Sequence, residues 1–396
     1  MDAVIVSAVR SPIGRAYKGS LAGVRADDLA AQIVGKALAR VPALDPTTLD
    51  DILMGCAQPA GEQGYNLGRQ VAMHIGLDMV PGTTVNRYCA SSLQAIRMAF
   101  HAIRAGEGHA FIAAGAEVVS HYPAGKADAM PGTRNPRWPE RGSTLPWRDP
   151  RESGELPDVY IAMGDTAENV ASLCGITRGE QDEFAVRSQN NAEKAQADGF
   201  WERDITPVTL PDGTVVSRDD GPRAGVTLEK IAALQPAFRP DGTVTAANCC
   251  PLNDGAAAVV VMSAARAQEL GLTPLARIVA TGVSALSPEI MGLGPVEASR
   301  RALAHAGMSI GDVDLIEINE AFAAQVIPSV RQLGADPERV NVHGGAIAVG
   351  HPFGMTGARI ATTLLNGLVH RDAQIGLETM CTAGGQGMAM IVERLS

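Results

Sequence analysis

The chain has 396 residues, 46% hydrophobic and 19% charged, with a formal net charge of −10. That is a globular composition long enough for two or three domains, and the negative balance argues against a nucleic-acid binder. No apolar run approaches the ~20 residues that span a bilayer, and Met1–Arg10 reads as a strand, so neither a membrane span nor a signal peptide is expected.

The predicted elements alternate. Ala3–Val9 is a strand and Asp28–Leu38 a helix. Ile52–Met54 is a short strand, 69–75 a helix, and Thr83–Asn86 a strand. Ser92–Ile103 has Leu93, Ile96, Phe100 and Ile103 on one helical face, and 110–114 is again a strand. Strands alternating with helices imply a buried, mostly parallel sheet. The order then breaks. Residues 121–158 are rich in Pro, Gly and Arg and carry Trp138 and Trp147, so they read as an irregular excursion with aromatic anchors rather than a linker. Helical pattern returns at 163–173 and 178–199, and 256–262 reads as a returning strand. The second half repeats the first: strand 277–282, helix 296–306, strand 314–318, helix 320–332, strand 340–342, helix 356–368, and strands 376–380 and 388–392. The expected division is 1–120, an insertion at 121–250, a return at 251–273, and a second half at 274–396.

Six cysteines lie without a C-x-x-C pair or a disulfide framework, and Cys249 and Cys250 are adjacent. Reduced thiols in a cytoplasmic enzyme are the natural reading, with no metal site. Cys89 falls where strand 83–86 turns into a helix. Free N–H groups there are expected to lower a thiol's pKa and to hold an oxyanion, with Ser91 and Ser92 as cap candidates. Taken alone, Cys89 reads equally as a buried, inert thiol. His351 stands in Gly350-His351-Pro352, where the proline keeps it extended, and suits a base. A structural loop histidine is the plain alternative. Asn319 ends a strand before a helix, where it serves equally as an N-cap or as a side chain holding a water. Cys381 follows an apolar strand and precedes Ala383-Gly384-Gly385. His343, beside Gly344, is a candidate supporting residue.

These blocks, taken in order, resemble the thiolases over the whole chain. The residues are Arg10-Ser11-Pro12-Ile13-Gly14, Val85–Ala95, Gly115-Ala116-Glu117 with Ser120, Met163–Asn169, Asn253–Ala257, Met291–Pro295, Asn319–Ala323, Gly344–Pro352 and Cys381–Gly387. The resemblance implies an α/β fold of two duplicated βαβαβαββ halves in a five-layered α/β/α/β/α arrangement, with an inserted loop domain that binds coenzyme A. It implies Cys89 as nucleophile, His351 as its activator, Asn319 as holder of an oxyanion-hole water, and Cys381 as the acid/base at the α-carbon. The backbone N–H groups of Cys89 and Ala383 form a second oxyanion hole. Arg223 matches a residue at the nucleotide end of coenzyme A, with Lys230 a weaker match. Cys250, Met163 and Met291 match the pantetheine and acyl pocket, and Phe322 joins them.

The implied activity is reversible thiolytic cleavage of 3-oxoacyl-CoA to acetyl-CoA and a shortened acyl-CoA. No cofactor is implied, coenzyme A being a substrate, and the family suggests a homodimer or homotetramer. Acetoacetyl-CoA synthesis is the alternative, and a scaffold or binding protein on this fold a further one. A scaffold is expected to lose at least one of the four side chains. The chain departs from the family at Ser92 and Ala383, usually Gly, at Cys250-Pro251, usually Ser-Gly, and at Ala162, often His in biosynthetic members. A positive φ at Ala383 would strain its methyl.

Overall fold

The computed structural model describes residues 1–143 and 145–396. Its strands of four or more residues are β1 (Ala3–Arg10), β2 (Asp51–Gly55), β3 (Gly82–Val85), β4 (Ala110–Val118), β5 (Asn253–Ser263), β6 (Ala276–Ala285), β7 (Leu315–Ile318), β8 (Ile375–Thr382) and β9 (Gln386–Arg394). The helices used below are α1 (Ala26–Ala39), α2 (Leu67–His74), α3 (Ser91–Ala105), α4 (Met163–Cys174), α5 (Arg178–Ala197), α6 (Gly294–Ala306), α7 (Ala323–Leu333) and α8 (Thr356–His370).

The first half orders its strands β3-β2-β4-β5-β1, and the second orders them β7-β8-β9-β6. Val340 adds a single parallel bridge to Ile316, outside β7. Each half therefore has the same plan: parallel strands at one end and antiparallel strands at the other. The halves meet edge to edge where Val4 faces Arg277 and Ile5 faces Ala276.

Alternation of side chains across each strand builds three helical layers. On β4, Ile112 and Ala114 face outward with Leu29 and Ile33 of α1. Phe111 and Ala113 face inward with Leu93, Ile96 and Phe100 of α3. On β9, Met388 and Met390 face the same inner layer, where Ala358, Ala361 and Leu364 of α8 pack. Ala389 and Ile391 face outward with Ala298 and Ala302 of α6 and Val326 of α7. The result is helix, sheet, helix, sheet, helix. The inner helices are sheathed on both sides, and accordingly α8 is buried along almost its whole length.

The chain leaves the first sheet after Val118 and returns at Asn253. The matching step in the second half is the three-residue turn between β8 and β9, so the first half carries a large insertion at that point. Within it, Trp147 donates its indole N–H to Glu289 at 2.8 Å, an anchor of the kind its sequence suggested.

Two local expectations fail for physical reasons. The predicted strand 340–342 is reduced to one residue. Asn341 takes a positive φ of 46°, and its amide side chain bonds both the N–H and the C=O of Ile318 at 2.8 Å, replacing the ladder. The helix expected from Glu320 begins at Ala323 with Phe322 as its N-cap, so Asn319 is not a cap.

Candidate active site

Cys89 sits on a short turn, Tyr88–Ala90, immediately before α3. Tyr88 adopts φ +44°, a conformation rare outside glycine. Two side chains hold it there: Asn86 Oδ1 accepts from the Tyr88 N–H at 2.8 Å, and Ser91 Oγ donates to its carbonyl at 2.6 Å. Ser91 also accepts from the Arg87 N–H at 2.9 Å, while Ser92 accepts from the Ala358 N–H and ties α3 to α8. Neither serine caps α3, whose N-cap is Ala90.

The thiol is 8% exposed. Burial pushes its pKa up to about 12, against the pull of the backbone N–H groups of Ala383 and Cys89 itself. The expected lowering is thus reversed: desolvation outweighs the amide dipoles, and the resting group is a thiol. The N–H groups still point at the sulfur.

The turn is stitched to the end of β8. Thr382 Oγ1 donates to the Arg87 carbonyl at 2.6 Å, and Arg87 donates to Gln386 Oε1 at 2.6 Å. Cys381, fully buried, lies one residue before this stitch. Burial, then the nearby Cys89, raise its pKa well above the ordinary range. Ala383 does not take a positive φ; Gly384 and Gly385 carry the turn at +78° and +74°. The alanine therefore fits without strain.

His351 is fixed by three loops. Its N–H donates to Asn253 Oδ1 at 3.0 Å, and Asn253 donates in turn to the Gly14 carbonyl. Nδ1 lies 2.6 Å from Thr356 Oγ1, whose own proton goes to the Pro352 carbonyl at 2.7 Å. The hydroxyl must therefore accept from Nδ1–H, which leaves Nε2 as the free base. Nε2 faces the Asn319 amide at 3.2 Å. Burial and the Arg359 charge push the imidazole down to about 3, so it rests neutral. Asn319 Oδ1 is buried without a partner among the described residues.

Two buried carboxylates hold these loops. Glu117 accepts from the N–H groups of Ala57 and Gly354 at 2.7 and 2.9 Å, and from Gln63 and Tyr122. Gly115 allows this approach, because a Cβ there would lie 2.1 Å from the Gly354 carbonyl. Glu320 accepts from Ser188, Asn341 and the Ile347 N–H, and fixes the loop that carries Asn319. In the sequence Glu117 is only part of a motif, and its organising role follows from burial that sequence does not display.

A cavity of about 460 Å³ opens at Cys89. Met163, Ala162, Phe353 and Ala383 line it, with Lys126 and Arg134 farther along its wall. A second cavity, lined by Arg223, Gly221, Gln189 and Pro251, holds a residue that the sequence reading missed, Arg15. Its signal was its position, directly after the matched block that ends at Gly14. Met291 and Phe322 are buried in one apolar cluster with Cys381 and Cys249, and Phe322 bridges Cys249. Cys250 donates its N–H to the Ala321 carbonyl, and burial above all, with the Cys249, Cys89 and Cys381 thiols nearby, pushes its own thiol well above the ordinary thiol range.

Lys230 lines neither of these two cavities; its ammonium donates to the Gly225 carbonyl at 2.7 Å. His343 stacks on Phe200, with centroids 3.7 Å apart, and faces His370 in a separate cavity, so it does not support His351.

Residues 3–265 match the thiolase N-terminal domain and residues 272–394 the thiolase C-terminal domain. The chain belongs to the thiolase family. It is 47% identical over 400 residues to an acetyl-CoA acetyltransferase of Cupriavidus necator, covering 99% of each chain. It is 45% identical over 403 residues to the 3-oxoadipyl-CoA/3-oxo-5,6-dehydrosuberyl-CoA thiolase of Escherichia coli K12, covering 100% of each. The crystal structure of the Bacillus anthracis acetyl-CoA acetyltransferase superposes with a TM-score of 0.88 at 41% identity, covering 100% of this thiolase and 99% of that chain. No helix among the described residues is long and apolar enough to cross a membrane.

Proposed function

We propose that this thiolase cleaves 3-oxoacyl-CoA with coenzyme A, giving acetyl-CoA and an acyl-CoA shortened by the acetyl unit. The observation that carries the reading is the convergence of Cys89 and the Ala383-Gly384 turn after β8 on one cavity, with a His351 whose Nε2 faces the Asn319 amide.

Cys89 gives its proton to His351 as its sulfur attacks the 3-oxo carbon, because the resting pair is thiol and neutral imidazole. The bond between the α-carbon and that carbonyl breaks, and its electrons pass to the α-carbon as an enolate. His351 and a water on Asn319 stabilise the enolate oxygen, and Cys381 donates the proton that completes acetyl-CoA. The Cys381 thiolate then takes the proton of incoming coenzyme A. The coenzyme A sulfur attacks the acyl-Cys89 carbonyl, and the N–H groups of Cys89 and Ala383 hold the tetrahedral oxyanion. Collapse releases Cys89, which recovers its proton from His351. No cofactor enters this scheme.

The insertion, 121–250, is the unit proposed to bind coenzyme A, with Arg223 and Arg15 facing its phosphates and Cys250, Met163, Met291 and Phe322 along the pantetheine and acyl path. A cytoplasmic homodimer or homotetramer is the proposed acting form. Arg223→Ala is expected to raise KM for coenzyme A by about tenfold with kcat little changed, since a remote phosphate contact is lost equally from ground and transition states. Equal loss of kcat and kcat/KM in steady-state thiolysis would move Arg223 into the chemistry.

The relatives named acetyl-CoA acetyltransferase support a second reading, condensation of two acetyl-CoA molecules. Ala162 in the wall of the Cys89 cavity favours longer acyl chains. Each buried methylene contributes about 0.8 kcal/mol. On that basis kcat/KM for 3-oxohexanoyl-CoA should exceed that for acetoacetyl-CoA by about tenfold. Thiolysis kinetics over chain length decide between the readings, and a strict preference for acetoacetyl-CoA selects the second.

A further inference from the structure

The cavity beside Cys89 changes character along its length. Close to the thiol its wall includes Ala57, Ala162, Met163 and Phe353. It continues into a more open depression that shares Lys126, Asp128, Thr133 and Arg134 with it, contains none of those four apolar groups, and adds Ala129, Met130 and Gly132 of its own.

The charges on this rim are unequal in what they can still bind. Both oxygens of Asp128 are engaged, by Gln58 Nε2 at 2.6 Å and by the Tyr88 hydroxyl at 3.3 Å. Arg134 pairs with Glu140 through one nitrogen and lies 5.6 Å over the Tyr160 ring, keeping its other N–H groups. The Tyr160 hydroxyl accepts from the Asn135 N–H at 2.9 Å and retains its own proton as a donor. Lys126, half-buried, pairs with no carboxylate among the described residues. The unsatisfied capacity at the rim is therefore donor and cationic, while its one carboxylate is already spoken for.

A plain alkyl chain reaching this point would bring a methyl group against polar groups and displace their water without replacing its hydrogen bonds. A carboxylate would receive charge-assisted bonds from Lys126 and the Tyr160 hydroxyl. We propose that the rim formed by Lys126, Arg134 and Tyr160 is a subsite for an anionic chain end, so that the substrate is a 3-oxoacyl-CoA carrying a terminal carboxylate. The inference rests on the thiolase reading and narrows its substrate class.

The test uses three thioesters: acetoacetyl-CoA, 3-oxohexanoyl-CoA, and 3-oxoadipyl-CoA, which has the same chain length as the second with a terminal carboxylate. Thiolysis is measured for the wild-type enzyme, Lys126→Met and Lys126→Arg. In the wild type, kcat/KM for the carboxylate substrate exceeds that for its neutral counterpart by about tenfold, the scale of one hydrogen bond to a charged group. Lys126→Met brings this ratio down to about one, and Lys126→Arg restores most of it. A ratio cancels any loss of folded enzyme. A wild-type ratio at or below one, or a ratio untouched by Lys126→Met, overturns the subsite while leaving thiolysis itself intact. Cleavage of none of the three overturns the thiolase reading instead.

Discussion

Cys381→Ala is expected to produce an enzyme that accepts an acyl group but neither makes nor breaks the carbon–carbon bond. Cys89, the Ala383 N–H and the His351–Asn319 pair all remain, so the thioester is still attacked, and the coenzyme A sulfur, a good leaving group as a thiolate, departs without the proton Cys381 would give it. The enolate has no neighbouring proton carrier. Loss of a general acid or base costs about 10²–10⁴-fold. In this site the cost should reach the upper end, because Cys381 is fully buried and bulk water cannot take its place. Stopped-flow measurement of thiolysis gives the rate, and acetyl exchange between acetyl-CoA and labelled coenzyme A separates the two steps. A normal cleavage rate would remove Cys381 from the α-carbon.

The largest effect on stability is expected at Asp204. Arg10, fully buried at the end of β1, donates to Asp204 at 2.5 Å and to both oxygens of Asp219 at 2.7 and 3.0 Å. Asp204 also accepts from Thr363 and Asn366 of α8 at 3.1 and 2.9 Å. One carboxylate thus joins the first sheet, the insertion and the inner helix layer. Asp204→Ala leaves the guanidinium with one carboxylate, Asp219, beside the Ser11 carbonyl, and strands two further donors. Breaking a buried pair of this kind typically costs about 3–5 kcal/mol. Denaturant unfolding followed by circular dichroism should show a loss of that size, whereas a change under about 1 kcal/mol would mean that water reaches the site and replaces the contact.

Much of this molecule can be read from its residues. Strand and helix periods place both sheets, because each strand is sheathed by helices and the outer helices turn one apolar face to a sheet. Cys89, Cys381 and Asn319 stand out because each lies at the boundary of a predicted element, and His351 because it stands in a glycine-rich loop before a proline. What escapes the sequence depends on environment. Asn319 looks like a cap, but the chain stays irregular to Phe322 and its amide turns to His351 instead. Cys89 looks activated by a helix start, yet burial outweighs the N–H groups and leaves a thiol. Asn341 looks like part of a strand, yet its side chain takes over the hydrogen bonds that a strand would make. Arg15 and Lys126 lie in stretches without periodicity, and only the fold brings them to cavity walls.

The central claim is that Cys89 alone carries the acyl group. Intact-mass measurement after mixing with acetyl-CoA, followed by peptide mapping, tests it most directly. The account predicts one acetyl group on Cys89 in the wild type and in Cys381→Ala, and none in Cys89→Ala. An adduct on Cys89→Ala, or a wild-type adduct mapped to Cys250 or Cys381, would contradict it.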